Sequence, residues 1–323
     1  MGESQRRILG IDFGFGSTKT LCGDENGNIS NKFKFSSVVS ELPSTGLVID
    51  KNLIPYNGKH YYVGEVALTR TDIINIVTYV ELEQFTPLLL QHALNMLGTT
   101  PTDICCGLSI VHYKNLPIRQ KYQQVIRNYL NTNGLGNTNL SLLPQGVGAK
   151  LAFQKYYTTF PIITTEFLER KSYFVVDIGF NTIDVCHVIN GAVSTGNVRG
   201  IPESGLISVA RKLRDKIKEN YKIELQLKDC QTAISSHSFM RRGKIYDVSA
   251  FVKELLEQYK IDIEDILKQN FDNVIDKLDF IAFVGGGAYL FNNTQDDFYK
   301  YPLLDREYYN AIGFYLHLNK QTT

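Results

Sequence analysis

Apolar residues fall in short runs broken by glycine and asparagine, interleaved with longer stretches at helical spacing, and the alternation predicts an α/β protein. The segment Arg7 to Cys22 begins as an apolar strand, turns at Gly14 to Gly16 and resumes as a second β-prone run. Residues 24–28 supply another turn before Ile29 to Val39, so the chain opens on a β-meander. Residues 40–65 carry Pro43, Gly46, Pro55 and Gly58 and predict a small peripheral excursion. A helix is expected from Phe85 to Leu97, stopped by Gly98 and Pro101, then a buried strand from Ile104 to Val111. Leu116 to Leu130 fits a helix with Pro117 in its first turn, and Ser141 to Ala149 reads as a strand end followed by a small-residue helix start.

The second half repeats the opening. Tyr173 to Asp177 is a strand, the chain turns at Gly179, Ile183 to Val188 continues, and Asn190–Gly191 is a hairpin signal into Ala192 to Val198. Amphipathic helices are expected over 205–219 and 247–270, with a turn-rich stretch over 220–247. Phe280 to Val284 is a buried strand ending in Gly285, Gly286 and Gly287 ahead of a helix N-terminus, and Arg306 to Leu318 closes the chain as a helix.

Set side by side, Ile11-Asp12-Phe13-Gly14-Phe15-Gly16-Ser17-Thr18 and Val176-Asp177-Ile178-Gly179-Phe180-Asn181-Thr182-Ile183 are one strand–acid–glycine turn used twice, half a chain apart. Two such halves can face each other across a cleft. A tight hairpin of glycine and small hydroxyl residues exposes backbone N–H groups in a concave array that phosphate oxygens can approach closely. A carboxylate repels phosphate, but it can bind the waters around Mg²⁺, which keeps several of them while bridging phosphate oxygens. Asp12 and Asp177 therefore read as metal-water ligands, and Lys19 as a cation that neutralises phosphate. The glycine triplet 285–287 suits close approach of an α-phosphate or nucleoside.

Composition narrows the classes. The 323 residues suggest about two domains. With 43% hydrophobic and 21% charged residues, the chain has ample material for a core. A net charge of +1 gives no global field for nucleic acid, so no direct nucleic-acid binding is expected. Arg241, Arg242 and Lys244 read as an exposed turn. No apolar stretch approaches the roughly 20 residues of a membrane span, and the N-terminus lacks a signal-peptide core. The five cysteines show neither a disulfide framework nor a zinc spacing. A cytoplasmic protein with reduced, mostly buried thiols is expected, and His112 reads as a packing histidine.

These motifs resemble the actin, Hsp70 and sugar-kinase superfamily, and within it the ParM-like bacterial actins and small archaeal actin relatives. Asp12, Gly14, Phe15, Gly16, Ser17, Thr18 and Lys19 resemble its first phosphate loop, and Asp177, Gly179, Phe180, Asn181 and Thr182 its second. Phe283 to Leu290, with Gly285, Gly286, Gly287 and Tyr289, is similar to the adenosine motif. Leu143 to Ala149 and Asn310 to Phe314 are similar to the two connecting segments. The resemblance implies two RNase H-like domains with mixed sheets flanked by helices around ATP or GTP and Mg²⁺. Domain I would span 1–155, with an outer subdomain at about 33–80, and domain II 156–304, with one at about 220–265. Residues 305–323 would form a helix returning to domain I. Gln145 would orient the water that attacks the γ-phosphate, Asp177 would be required for hydrolysis, and Lys212 and Asp215 would lie where the family contacts base and ribose. Asp184 reads first as a structural hydrogen-bond partner.

By family likeness and length, the expected function is an ATPase that polymerises into nucleotide-dependent filaments for plasmid segregation, joined to DNA through a separate adaptor. A sugar or acid kinase would need an aspartate base, and the sequence around Gln145 offers no carboxylate nearby. A non-polymerising ATP-binding scaffold is the third reading. The polar tail Asn319 to Thr323 gives no sign of membrane attachment.

Overall fold

The computed structural model describes residues 6–42, 50–157, 165–291, 298–300 and 305–319. Residues 1–5, Pro43, Gly46 and the tail 320–323 lie outside the described residues. The chain divides into two compact units, residues 1–160 with 307–323, and residues 161–306.

In unit 1 the meander forms as its turns dictate, with β1 (Arg7–Phe13), β2 (Ser17–Asp24) and β3 (Ile29–Ser36) pairing antiparallel. The turn-rich region holds more structure than its glycines and prolines suggest. It contains β4 (Val38–Glu41), β5 (Ile54–Tyr56), β6 (Lys59–Val63), the short α1 (Glu65–Leu68) and β7 (Ile73–Asn75). These four strands make a separate sheet ordered β5-β6-β4-β7 over a small apolar cluster of Val38, Tyr62 and Ala67.

Helix α2 (Tyr79–Leu97) starts well before Phe85. Thr78 and Glu81 form a reciprocal capping box, and Gly98 closes the far end with φ 63°. Strand β8 (Asp103–Leu108) is fully buried and pairs parallel with β1. It ends earlier than the apolar run predicts, because Ile110 to Lys114 already belong to α3 (Ile110–Lys114). Then follow α4 (Leu116–Thr132), capped by Asn115, β9 (Asn139–Pro144) and α5 (Val147–Tyr157). The main sheet reads β3-β2-β1-β8-β9.

Unit 2 begins with α6 (Thr165–Leu168) and repeats the same plan. The meander β10 (Ser172–Ile178), β11 (Ile183–Ile189) and β12 (Ala192–Ile201) leads into α7 (Ile207–Tyr221). The stretch expected to be mainly turns is α8 (Leu227–Ser236) and a hairpin of β13 (Ser238–Arg241) and β14 (Lys244–Asp247). After the long α9 (Ser249–Ile275) come β15 (Phe280–Val284), a single 3₁₀ turn at Ala288–Phe291 and β16 (Tyr299–Lys300). The glycine triplet therefore precedes one 3₁₀ turn rather than an α-helix in the described residues. The sheet order β12-β11-β10-β15-β16 matches that of unit 1 strand for strand, with three antiparallel strands followed by two parallel ones. Both sheets have the RNase H-like arrangement. The central strands β10 and β15 are buried along nearly their whole length, as parallel strands covered on both faces must be. Helices α8 and α9 and the β13–β14 hairpin contribute to one apolar core with this sheet.

The last helix, α10 (Tyr309–Asn319), belongs to unit 1. A Cβ on Gly10 of β1 would overlap the Ala311 carbonyl oxygen, and one on Gly107 of β8 would overlap the Phe314 ring. Tyr315 anchors the helix by donating to the Asp24 carbonyl at 2.7 Å.

Candidate functional site

In unit 1, Asp12 lies near the end of β1, one residue before the chain breaks from the sheet at Gly14 to Gly16. It is 4% exposed and directly opposite Lys19 in the β1–β2 register. Lys19 Nζ stands 3.7 Å from Asp12 Oδ2, while Gln145 Nε2 donates to Asp12 Oδ1 at 2.6 Å. A charge-assisted bond to a nearly buried carboxylate is among the stronger side-chain contacts. Gly14 is closely confined, since a Cβ there would come within 2.8 Å of the Ser17 carbonyl oxygen and 3.2 Å of Lys19 Nζ. Thr18 and Phe15 are buried, and the Thr18 hydroxyl shares a 3.0 Å hydrogen bond with Ser37. The Thr18 side chain is thus tied to its own sheet, and Ser17 is the more open hydroxyl of this turn. The fold also supplies what the sequence around Gln145 lacks: a carboxylate within reach, Asp12, already engaged by Gln145 and near Lys19.

In unit 2, Asp177 holds the equivalent place on β10, 7% exposed. Its partner across the β10–β11 pair is Asp184, where unit 1 has Lys19. Asp184 is 1% exposed and accepts from the Thr182 hydroxyl at 3.0 Å, the structural role its strand position suggested. Gly285, with φ 86°, packs against Asp177, and a Cβ there would overlap Asp177 Oδ1. A Cβ on Gly287 would overlap Ile178, whereas Gly286 faces open space. Two of the three glycines are therefore required by the fit of this turn against β10. Tyr289, on the 3₁₀ turn, is 37% exposed, and burial raises its phenol pKa.

Gly205 also contributes to the second turn. Its amide donates to the Asn181 carbonyl at 3.1 Å, followed by Leu206 to Gly179 at 3.2 Å and Ile207 to Phe180 at 2.7 Å. A Cβ on Gly205 would stand 2.6 Å from the carbonyl oxygens of Gly179 and Phe180, so the start of α7 is fastened to the second turn. The one signal in the sequence is a glycine directly before a helical apolar pattern. Lys212 and Asp215 lie further along α7, exposed; Lys212 pairs with Asp262 of α9 at 3.0 Å and Asp215 with Arg214 at 3.5 Å. The structure thus groups Asp12, Gly14, Lys19 and Gln145 in unit 1, and Asp177, Gly179 to Thr182 and Gly285 to Gly287 in unit 2. It leaves Lys212 and Asp215 on a solvated helix face.

Away from these turns, all five cysteines are free and buried. Burial pushes the Cys106 thiol up to about 12. His112 stacks on Tyr79 with ring centroids 4.4 Å apart, and its Nδ1 lies 2.8 Å from the Ser109 hydroxyl, as a packing histidine should. Arg241, Arg242 and Lys244 form the exposed turn of the β13–β14 hairpin. Among the described residues no three His, Cys, Asp or Glu side chains cluster as a direct metal cage, and no helix is long and apolar enough to cross a membrane.

A sheet plan used twice, each copy with a nearly buried aspartate at the mouth of a glycine turn, makes this an α/β protein of two RNase H-like halves. The family model for the N-terminal domain of actin-like proteins matches residues 10–148, and that for the C-terminal part of the MreB-like archaeal actin homologues matches residues 175–297. The chain belongs to the actin-like proteins. No curated protein sequence matches it. Among solved structures it is similar to a ParM from Clostridium botulinum seen in a 15-stranded filament, at 18% identity and TM-score 0.74 over 98% of this chain and 100% of that one. It is also similar to an archaeal actin homologue in complex with ADP, at 19% identity and TM-score 0.71 over 97% and 99%. A third is MamK in a double helical filament, at 18% identity and TM-score 0.68 over 98% and 99%.

Proposed function

We propose that this chain is an actin-like nucleoside triphosphatase that assembles into filaments under control of its bound nucleotide, and that it serves plasmid segregation in the cytoplasm. The observation that carries the reading is the contact of Gln145 with Asp12 at the first glycine turn, within a fold that repeats the same acid and turn in unit 2. In this reading the turns at Gly14 to Thr18 and Gly179 to Thr182 offer backbone amides to the phosphates of ATP or GTP, and Lys19 offsets phosphate charge. Asp12 and Asp177 would hold Mg²⁺ through its water shell, and the ion would neutralise charge on the triphosphate.

Gln145, with its amide nitrogen committed to Asp12, keeps its amide oxygen to accept a hydrogen bond from a water molecule and so orient it. Positioning is the greater part of phosphoryl-transfer catalysis, so a residue of no basicity suffices. Water as acceptor distinguishes this reading from a kinase, because Asp12 is already engaged by Gln145 and Lys19. Filament formation is supported by neighbours of the same fold that were solved as filaments. Head-to-tail contacts that do not close give open filaments. With a net charge of +1, DNA attachment falls to a separate adaptor.

Sedimentation and light scattering with Mg²⁺ and ATP or GTP test the proposal. Assembly above a threshold concentration, with phosphate release needing no added acceptor, is expected. Phosphate transfer that requires a sugar or acid would establish a kinase instead, and hydrolysis without assembly at any nucleotide would favour the scaffold.

A further inference from the structure

We propose that Asn310 is a positioning residue for Gln145, acting from α10 through the backbone at the start of α5. The inference rests on the reading of Gln145 as the group that orients the attacking water. The segment Gln145-Gly146-Val147-Gly148-Ala149 opens α5 with no Ser, Thr, Asp or Asn at the capping position and no Glu or Gln at the third helical position. It cannot cap itself. The acceptor comes from the far end of the chain: Asn310 Oδ1 takes the amides of both Gly146 and Ala149, each at 3.1 Å. These are the two amides, at the cap and at the third helical residue, that a local capping box would satisfy. Asn310 is 5% exposed, so bulk water is no substitute acceptor.

The two peptide groups flanking Gln145 are therefore held separately. Its own amide donates to the Leu108 carbonyl at 2.7 Å, and the next one is held by Asn310. Gly146 turns the chain from β9 into α5 with φ 80°, a left-handed conformation that glycine adopts without strain and also leaves easily. Without the Asn310 acceptor, that glycine gives Gln145 a pivot. The helices cannot slide to compensate, because a Cβ on Gly313 of α10 would overlap the Gly148 carbonyl oxygen: the two backbones are in direct contact. Asn310 also lies just after Glu307, where the chain re-enters unit 1.

The test is steady-state phosphate release by the full chain with Mg²⁺ and ATP, in a double-mutant cycle of Asn310→Ala and Gln145→Ala. Asn310→Ala is expected to lower kcat roughly tenfold with KM within about twofold, the size of effect that loss of one buried hydrogen-bonding arrangement produces. Asn310→Asp, which keeps an acceptor at the same place, is expected to restore kcat to within about threefold of wild type. In the Gln145→Ala background, Asn310→Ala is expected to change kcat by less than about twofold. Equal losses in both backgrounds, an unchanged kcat, or a rise in KM in place of a fall in kcat would overturn the assignment. If Asn310→Ala does not fold, Asn310→Ser, one atom shorter, takes its place in the same cycle under the same criteria. A wild-type chain that binds and hydrolyses no nucleotide would remove the functional reading itself. A fully active wild type with additive losses would remove only the role of Asn310.

Discussion

Asp12 and Asp177 occupy equivalent strand ends, but their surroundings differ. Asp12 has Lys19 across the strand pair and Gln145 on its carboxylate, whereas Asp177 has Asp184 across the pair and Gly285 packed against it. An acid beside another acid, both nearly buried, gains more from a cation than an acid already near a lysine. Replacing Asp177 by Ala is therefore expected to reduce phosphate release by roughly a hundredfold or more while leaving the circular dichroism spectrum unchanged. Wild-type turnover in that variant would remove Asp177 from the metal assignment. Both aspartates and both glycine turns are legible in the sequence because the motif occurs twice. The contacts of Gly205 with the second turn and of Asn310 with the Gly146 and Ala149 amides are not, since each joins segments distant along the chain.

Among the elements, the apolar runs are read correctly as strands and the errors lie at their ends. The start of α2 is missed because Thr78 and Glu81, three residues apart, signal it more clearly than the apolar spacing does. Strand β8 is extended too far because Ile110 and Val111 continue its apolar run into α3. The tightest junction between elements is the backbone contact of α5 with α10. Gly313→Ala forces these helices apart and is expected to lower stability by roughly 1–3 kcal/mol, read as a lower urea midpoint. An unchanged midpoint would show that the helices can separate without cost.

His187 on β11 links stability to pH. Asn197 Nδ2 can only donate, so His187 Nδ1 accepts it at 3.2 Å and Nε2 faces the Ser172 hydroxyl at 3.0 Å. A second ring proton has no acceptor there, and burial lowers the His187 pKa from 6.5. The unfolded chain then binds more protons than the folded one below pH 6.5, so stability falls as pH drops from 6.5 toward the lower folded-state value. Burial lowers the pKa of His112 in the same direction. The urea midpoint is expected to decline across this range and to decline less in His187→Gln; an identical decline in both would remove His187 from the linkage.

For the molecule as a whole, the repeated sheet order β3-β2-β1-β8-β9 and β12-β11-β10-β15-β16 gives Asp12 and Asp177 equivalent strand positions. The repetition, though not the strand order, is legible because the acid-glycine turn marks the same step in each copy, even though Lys19 in one is replaced by Asp184 in the other. The four-stranded sheet β5-β6-β4-β7 is hidden because β5 carries Pro55 and the short strands β5 and β6 are bounded by Gly58 and Gly64, so that they look like turns. The α8 helix and β13–β14 hairpin were hidden by a similar density of polar residues. A density map of the chain prepared with Mg²⁺ and a non-hydrolysable ATP analogue tests the central claim most directly. It is predicted to show phosphate oxygens on the backbone amides of Gly14 to Thr18 and Gly179 to Thr182, with the ion's waters on Asp12 and Asp177. A nucleotide bound elsewhere, with both turns empty, would contradict it.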